Sequence, residues 1–185
     1  MEDVCNFIFE LGQLRRVKHE GWKLFGKEEP ESVAEHSLRA AQIGFVLAKL
    51  EGYKRPEEVC AILVFHDIGE CRIGDLHKVA RRYVESDEER AVRDQMEKLK
   101  GIGKDIFELW KQAETCDTEA GAIAKDADFL EMAATAKEYV EIGFTSAQDW
   151  IERIYKKLQT KSAKRILEKL KTADSNSWWV ELKKT

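Results

Sequence analysis

The stretch Val59-Cys60-Ala61-Ile62-Leu63-Val64-Phe65-His66-Asp67-Ile68-Gly69-Glu70-Cys71-Arg72-Ile73-Gly74-Asp75 decides how the rest of the chain is read. An apolar run from Val59 to Phe65 passes directly into an imidazole and a carboxylate, and further acids follow at Glu70 and Asp75. The pattern predicts a helix over 59–70, in which Glu70 lies four residues after His66 and three after Asp67, so the three side chains share one face. Burying them without partners is costly, and a divalent cation is the partner that a neutral imidazole nitrogen and a carboxylate oxygen can both ligate. Two ligands do not complete a site, so the others have to come from elsewhere in the chain.

Upstream of this stretch, Pro56 suits the first turn of the helix that leads into it. Before that, the apolar spacing from Leu38 to Leu50 predicts a core-facing helix that stops near Gly52. Ser32-Val33-Ala34-Glu35 fits a capping box and sets His36 in that helix's first turn. Residues 18–31, with His19, Gly21, Trp22, Phe25 and Gly26, lack a stripe and read as a loop. At residues 3–17, Val4, Phe7, Ile8, Leu11, Leu14 and Val17 recur at steps of three or four and predict an amphipathic helix.

Downstream, Gly74 breaks the helix before Asp75, and Leu76-His77-Lys78-Val79 is expected to open a short helix whose early backbone N–H groups face an anion. Residues 85–99 alternate acids and bases at helical spacing, the mark of a solvated face. Gly101 and Gly103 are read as a turn before an amphipathic stretch, Ile106 to Cys116. Residues 120–136 are apolar or small on nearly every side, which predicts a central helix. Asp126 and Asp128 are then acids in a buried element, and periodicity does not say which faces the site. A last long helix is expected from Ser146 to Lys171, with Trp178-Trp179 in the tail.

The chain has 185 residues, a length that suits one domain, with a formal charge of −4 and 36% charged residues of both signs. That balance argues against a broad surface for polymeric nucleic acid. Cys5, Cys60, Cys71 and Cys116 are scattered, without a C-x-x-C pair, and read as free thiols. The start Met1-Glu2-Asp3 does not resemble a signal peptide, and no apolar run approaches the roughly 20 residues that span a bilayer. The expectation is a cytoplasmic protein without a membrane partner. With only two prolines and eleven glycines, and helical spacing nearly throughout, the fold class is read as all-α.

Three motifs together resemble the HD-domain superfamily of metal-dependent phosphohydrolases, and within it the 5′-deoxynucleotidase branch. They are Glu31-Ser32-Val33-Ala34-Glu35-His36-Ser37, then His66-Asp67-Ile68-Gly69-Glu70 through Gly74-Asp75-Leu76, then Lys125-Asp126-Ala127-Asp128-Phe129-Leu130-Glu131. The resemblance implies a single HD-domain helical bundle over 1–185, with a motif-bearing core at about 15–140 and C-terminal helices at 146–185. It implies that His36, His66, Asp67 and Asp128 ligate one divalent metal cation, Asp128 being preferred to Asp126 because the family's late motif reads alanine-aspartate. Glu70 matches the family's catalytic acid and Asp75 an acid at the substrate. Leu76, His77 and Lys78 occupy the substrate-contact loop, Trp22 matches a tryptophan lining the nucleotide pocket, and His36 and Asp67 also border the substrate. Relatives bring an arginine to the phosphate from just before that tryptophan. Here Gly21 stands there, so Arg16 or Arg15 is expected to take the role.

The donor set suits manganese, cobalt, iron, nickel or zinc. The implied reaction removes the 5′-phosphate of a nucleoside monophosphate, with Glu70 orienting or deprotonating the attacking water and Asp75 binding the sugar or protonating the leaving oxygen. Between the His-Asp pair and Asp128 the only further histidine is His77, which favours one metal. Two other readings compete: a phosphohydrolase acting on a different ester such as a guanosine polyphosphate, and a non-catalytic helical module with a structural metal. Glu70 and Asp75 favour catalysis, since a structural site has no use for two unligated acids. Relatives of this kind form homodimers, a contact that Trp178 and Trp179 would suit.

Overall fold

A computed structural model describes residues 1–183, and among them there is no β-strand. The helices are α1 (Glu2–Leu11), α2 (Val33–Glu51), α3 (Pro56–Phe65), α4 (Glu70–Ile73), α5 (Glu88–Met96), α6 (Gly101–Thr115), α7 (Glu119–Glu141), α8 (Gln148–Ile154), α9 (Lys161–Thr172) and α10 (Ser177–Val180). The all-α expectation holds, and among the described residues no helix is long and apolar enough to cross a membrane.

Helix α7 is the centre of the larger core. Its Ile123, Ala124, Ala127, Leu130, Ala133 and Ala136 are almost wholly buried, and α2, α3, α8 and α9 pack around them. Small residues on α7 allow neighbours on several sides at once, which is why an all-round apolar helix sits in the middle. The α2–α3 crossing is equally close. A β-carbon at Gly44 would stand 2.3 Å from Leu63 Cδ1 and 3.1 Å from Val59 Cγ1, so this position takes only glycine without repacking. A smaller apolar cluster joins Ile68 to Val92, Met96, Leu99, Ile106, Phe107 and Trp110, and α1 lies against it through Val4, Phe7 and Leu11.

The start of α2 follows its sequence signals. The Ser32 hydroxyl accepts from the Glu35 N–H, the Glu35 carboxylate accepts from the Ser32 N–H at 2.7 Å, and Gly52 closes the helix in the left-handed region. Elsewhere the elements are shorter than expected. The helix predicted over 59–70 ends at Phe65; residues 66–69 form tight turns with Ile68 N–H on the Phe65 carbonyl and Glu70 N–H on the Asp67 carbonyl, before α4 begins. The helix at 3–17 is α-helical only to Leu11 and then tightens to a 3₁₀ turn, and the 18–31 loop contains a 3₁₀ segment at Glu20–Phe25. Residues 76–79 are not helical; a 3₁₀ turn forms later, at Ala80–Arg82. Gly101 and Gly103 lie inside α6, where a β-carbon on Gly103 would meet the Met96 carbonyl oxygen at 2.1 Å. The role of Gly103 is close approach, not a turn, whereas Gly101 is the first residue of α6 and has open space around it.

The long helix expected over 146–171 is divided into α8 and α9. Asp126, fully buried in α7, accepts the N–H of Gln159 at 2.9 Å and of Thr160 at 2.7 Å, and Thr160 then caps α9. A carboxylate distant in sequence claims the backbone donors at the break.

Candidate metal centre

Three places in the fold bring the site together: the capped start of α2, the turns after α3, and the middle of α7. His36 and His66 are buried with Asp128, and Asp67 is half-buried beside them. His36 Nε2 lies 3.3 Å from Asp128 Oδ1, 3.3 Å from His66 Nε2 and 3.7 Å from Asp67 Oδ2, and His66 Nε2 lies 3.0 Å from Asp67 Oδ2. His66 Nε2 and Asp128 Oδ1 are 4.0 Å apart. The four expected ligands therefore present two nitrogens and two oxygens to one spot, and His36, His66 and Asp128 can jointly hold a metal ion.

The other face of each ring is already committed. His36 Nδ1–H donates to Glu131 Oε2 at 2.5 Å, and His66 Nδ1–H donates to the Leu63 carbonyl at 2.7 Å. These bonds leave each Nε2 lone pair pointing inward, the arrangement that supports imidazole as a ligand. Glu131 is itself fixed by Arg39, whose Nε donates to Oε1 at 2.8 Å, and by the Thr135 hydroxyl. The chemistry of the donor set thus fits a divalent cation of borderline hardness.

Without a cation the cluster behaves as an ion network. Burial opposes charge on both imidazoles, but Asp128 and Glu131 hold His36 well above its ordinary pKa, and Asp67 raises that of His66. Burial likewise pushes Asp67 and Asp128 up, and is outweighed for Asp67 by His66 and for Asp128 by Lys125, whose Nζ stands 2.9 Å away, and His36; both carboxyls end below their usual range. A divalent cation held by His36, His66, Asp67 and Asp128 would take over this neutralisation and favour the neutral imidazoles. Glu70 differs from the others. It is buried, its Oε2 has no hydrogen-bond partner, and burial followed by the charges of Asp67, Asp75 and Glu88 pushes its pKa up to about 10.

His36, Asp67, Glu70 and Asp128 line a cavity of about 520 Å³, within the range typical of small-molecule sites. Asp75, Leu76, His77 and Lys78 line it, as do Trp22, Phe129, Met132 and Trp150. Asp75 Oδ2 accepts the Glu20 N–H at 2.8 Å, which ties the acid to the early loop. His77 Nδ1 accepts the Ala80 N–H at 3.2 Å and so caps the following turn. Trp22 is almost wholly buried, donates to Glu31 Oε1 at 2.9 Å and packs on Phe25, Tyr139 and Trp150, so it builds the wall as much as it lines it.

Arg16 is exposed and lies outside the cavity lining; the arginines on that lining are Arg81 and Arg153. Spacing does not single out His19, yet its ring packs on His36 with centroids 4.4 Å apart, and with His36 and Asp67 it forms a second group able to hold a metal. Glu88, which belongs to a solvated stretch in sequence, stands over Gly69 and feels the charge of Asp67. Lys125 and Lys157 line the same cavity. Basic residues in a charged sequence carry no local mark that separates a cavity wall from a wet surface, which is why these escape a reading of spacing.

The HD domain family matches residues 11–171 of the chain. The 5′-deoxynucleotidase HDDC2 of Dictyostelium discoideum is 34% identical over 149 residues, covering 75% of this chain and 78% of that protein. The protein of the same name from Danio rerio is 29% identical, covering 77% of this chain and 72% of its own length. Among solved structures, a conserved hypothetical protein from Pyrococcus furiosus superposes with a TM-score of 0.76 at 29% identity, covering 91% of this chain and 99% of the other.

Proposed function

We propose, since this chain belongs to the HD domain family, that it is a metal-dependent hydrolase removing the 5′-phosphate from deoxynucleoside or nucleoside monophosphates. The observation that carries this reading is the convergence of two imidazole nitrogens and two carboxylate oxygens beside an unpartnered, buried Glu70, at one end of a cavity with an aromatic wall. His36, His66, Asp67 and Asp128 would hold one divalent cation: manganese, cobalt, iron, nickel or zinc. Such a cation neutralises charge on the phosphoryl group and lowers the pKa of the attacking water.

The chain's own groups do the rest. Glu70 Oε2, free of other bonds, takes the proton of the attacking water. Positive charge introduced beside Asp67 favours the ionised form that this requires. Asp75, anchored by the Glu20 N–H, faces the sugar and the leaving 5′ oxygen. Leu76, His77 and Lys78 bound the same end, and Trp22, Phe129, Met132 and Trp150 offer apolar area to sugar and base and exclude water. The same reading includes a cytoplasmic homodimer; Trp178, 73% exposed on α10, supports a contact surface there.

The test is phosphate release from a panel of ribo and deoxy 5′-monophosphates by metal-stripped protein resupplied with manganese, cobalt or zinc, beside Glu70→Ala. Metal-dependent release that falls at least about a hundredfold in the variant is expected. No release with any metal, despite tight metal binding, would overturn the reading in favour of another ester or a structural site.

A further inference from the structure

Three ammonium groups gather on one wall of the cavity. Lys125 Nζ stands 5.3 Å and Lys157 Nζ 4.9 Å from the centroid of the same Phe129 ring, and Lys78 is the charged group that bears most directly on Lys157. Lys125 is paired with Asp128 at 2.9 Å, and Arg153, on the same lining, with Asp149 at 2.7 Å. Among the described residues no carboxylate forms an ion pair with Lys78 or Lys157. Burial, then Lys78 and Lys125, draws the Lys157 pKa down to about 8, while Asp128 pulls the other way. Lys78 and Lys157 are solvent-exposed on this wall and repel one another without an ion-paired carboxylate of their own, and a bound anion relieves that repulsion.

The wall is also built from a part of the chain remote from the three motifs. Lys157 follows α8 and precedes the break at Gln159–Thr160, whose backbone donors Asp126 holds from two residues before Asp128. One stretch of α7 therefore supplies a ligand candidate and fixes the segment that carries Lys157. The early loop, by contrast, provides no arginine: Gly21 precedes Trp22, and Arg16 lies outside the lining.

We propose that Lys157, with Lys78 beside it, binds the non-bridging oxygens of the substrate's phosphate, in the place an early arginine was expected to fill. The two ammonium groups act as separate point donors on a phosphate dianion, with the face of the Phe129 ring positioning the Lys157 ammonium. The assignment rests on the phosphomonoesterase reading above, and its test separates the two.

The probe is inorganic phosphate, titrated into the metal-loaded, full-length protein and used as an inhibitor of 5′-monophosphate hydrolysis. Lys157→Gln should weaken phosphate binding about tenfold and raise KM by a similar factor with a smaller fall in kcat. Lys157→Arg should recover most of the loss, Lys78→Gln should weaken phosphate in the same direction, and metal content and the affinity for an uncharged nucleoside should stay unchanged. Unaltered phosphate affinity in Lys157→Gln, equal weakening of the uncharged nucleoside, or no measurable phosphate binding by the parent protein would each overturn the assignment. Should phosphate binding depend on Lys157 while no 5′-monophosphate is hydrolysed, the assignment stands and the nucleotidase reading falls.

Discussion

Both nitrogens of His36 are engaged before any cation arrives, one by Glu131 and one by the acids opposite. Glu131 and His36 are each about 1% exposed, so the carboxylate cannot be lost without leaving a buried imidazole and the Arg39 guanidinium short of a partner. Glu131→Ala is expected to destabilise the fold by about 3 kcal/mol, the cost of breaking a buried pair from one side. It should also weaken metal binding by at least about tenfold, as the ring loses its orienting acceptor. Urea unfolding and competitive metal titration measure the two effects, and Glu131→Gln should retain more of both. At this scale the positions of His36 and the His66-Asp67 pair were legible, because a capping box and a polar interruption of an apolar run are local signals. Glu131 was visible only as part of a motif; nothing local shows that it faces His36 across a sequence separation of 95 residues.

Helices whose ends are marked locally were readable: α2 between Ser32 and Gly52, and α3 from Pro56. The division of the last long helix was not, because no glycine or proline marks it and the deciding group is Asp126 on another element. Periodicity left Asp126 and Asp128 equivalent, and the fold separates them by giving one to backbone donors and the other to the cavity. Asp126→Ala is expected to cost about 2 kcal/mol, since it orphans two backbone N–H groups. Amide exchange at Gln159 and Thr160 should accelerate selectively, and exchange rates there no faster than in the parent protein would refute the account. Gly103 is the converse error of reading by residue type: its glycine marks a contact between α6 and the Met96 carbonyl, not a chain reversal.

Across the whole molecule, the buried Glu70 links stability to pH. Its pKa of about 10 in the fold exceeds the ordinary carboxyl value of 4.5. Between those limits the folded protein keeps a proton that the unfolded chain releases, so stability falls as pH rises through the window. His36 and His66, raised in the fold, add to the loss on the alkaline side, whereas the lowered Asp67 and Asp128 contribute stability that disappears only in acid. Comparing Glu70→Gln with the parent isolates one group. In metal-free protein at pH 7.5 the variant should be more stable by about 2 kcal/mol, with the gain vanishing toward pH 4. Urea melts across pH measure it, and saturating divalent cation should erase the gain by favouring the carboxylate.

The turn at residues 66–69 faces two ways. Asp67 lines the cavity and His66 turns its Nε2 to His36 and Asp67, while Ile68 is fully buried in the smaller apolar cluster and Gly69 lies against Glu88 and Val92 of α5. That cluster is the lesser of the two cores and can open by itself at a lower free energy than global unfolding. Each such excursion would unfasten Ile68 and, with it, the segment bearing half of the candidate ligand set. Phe107→Ala or Met96→Ala, either of which loosens that cluster from a distance, is therefore expected to shorten the residence time of a bound cation in a chelator-exchange experiment, and an unchanged exchange rate in both variants would refute the link.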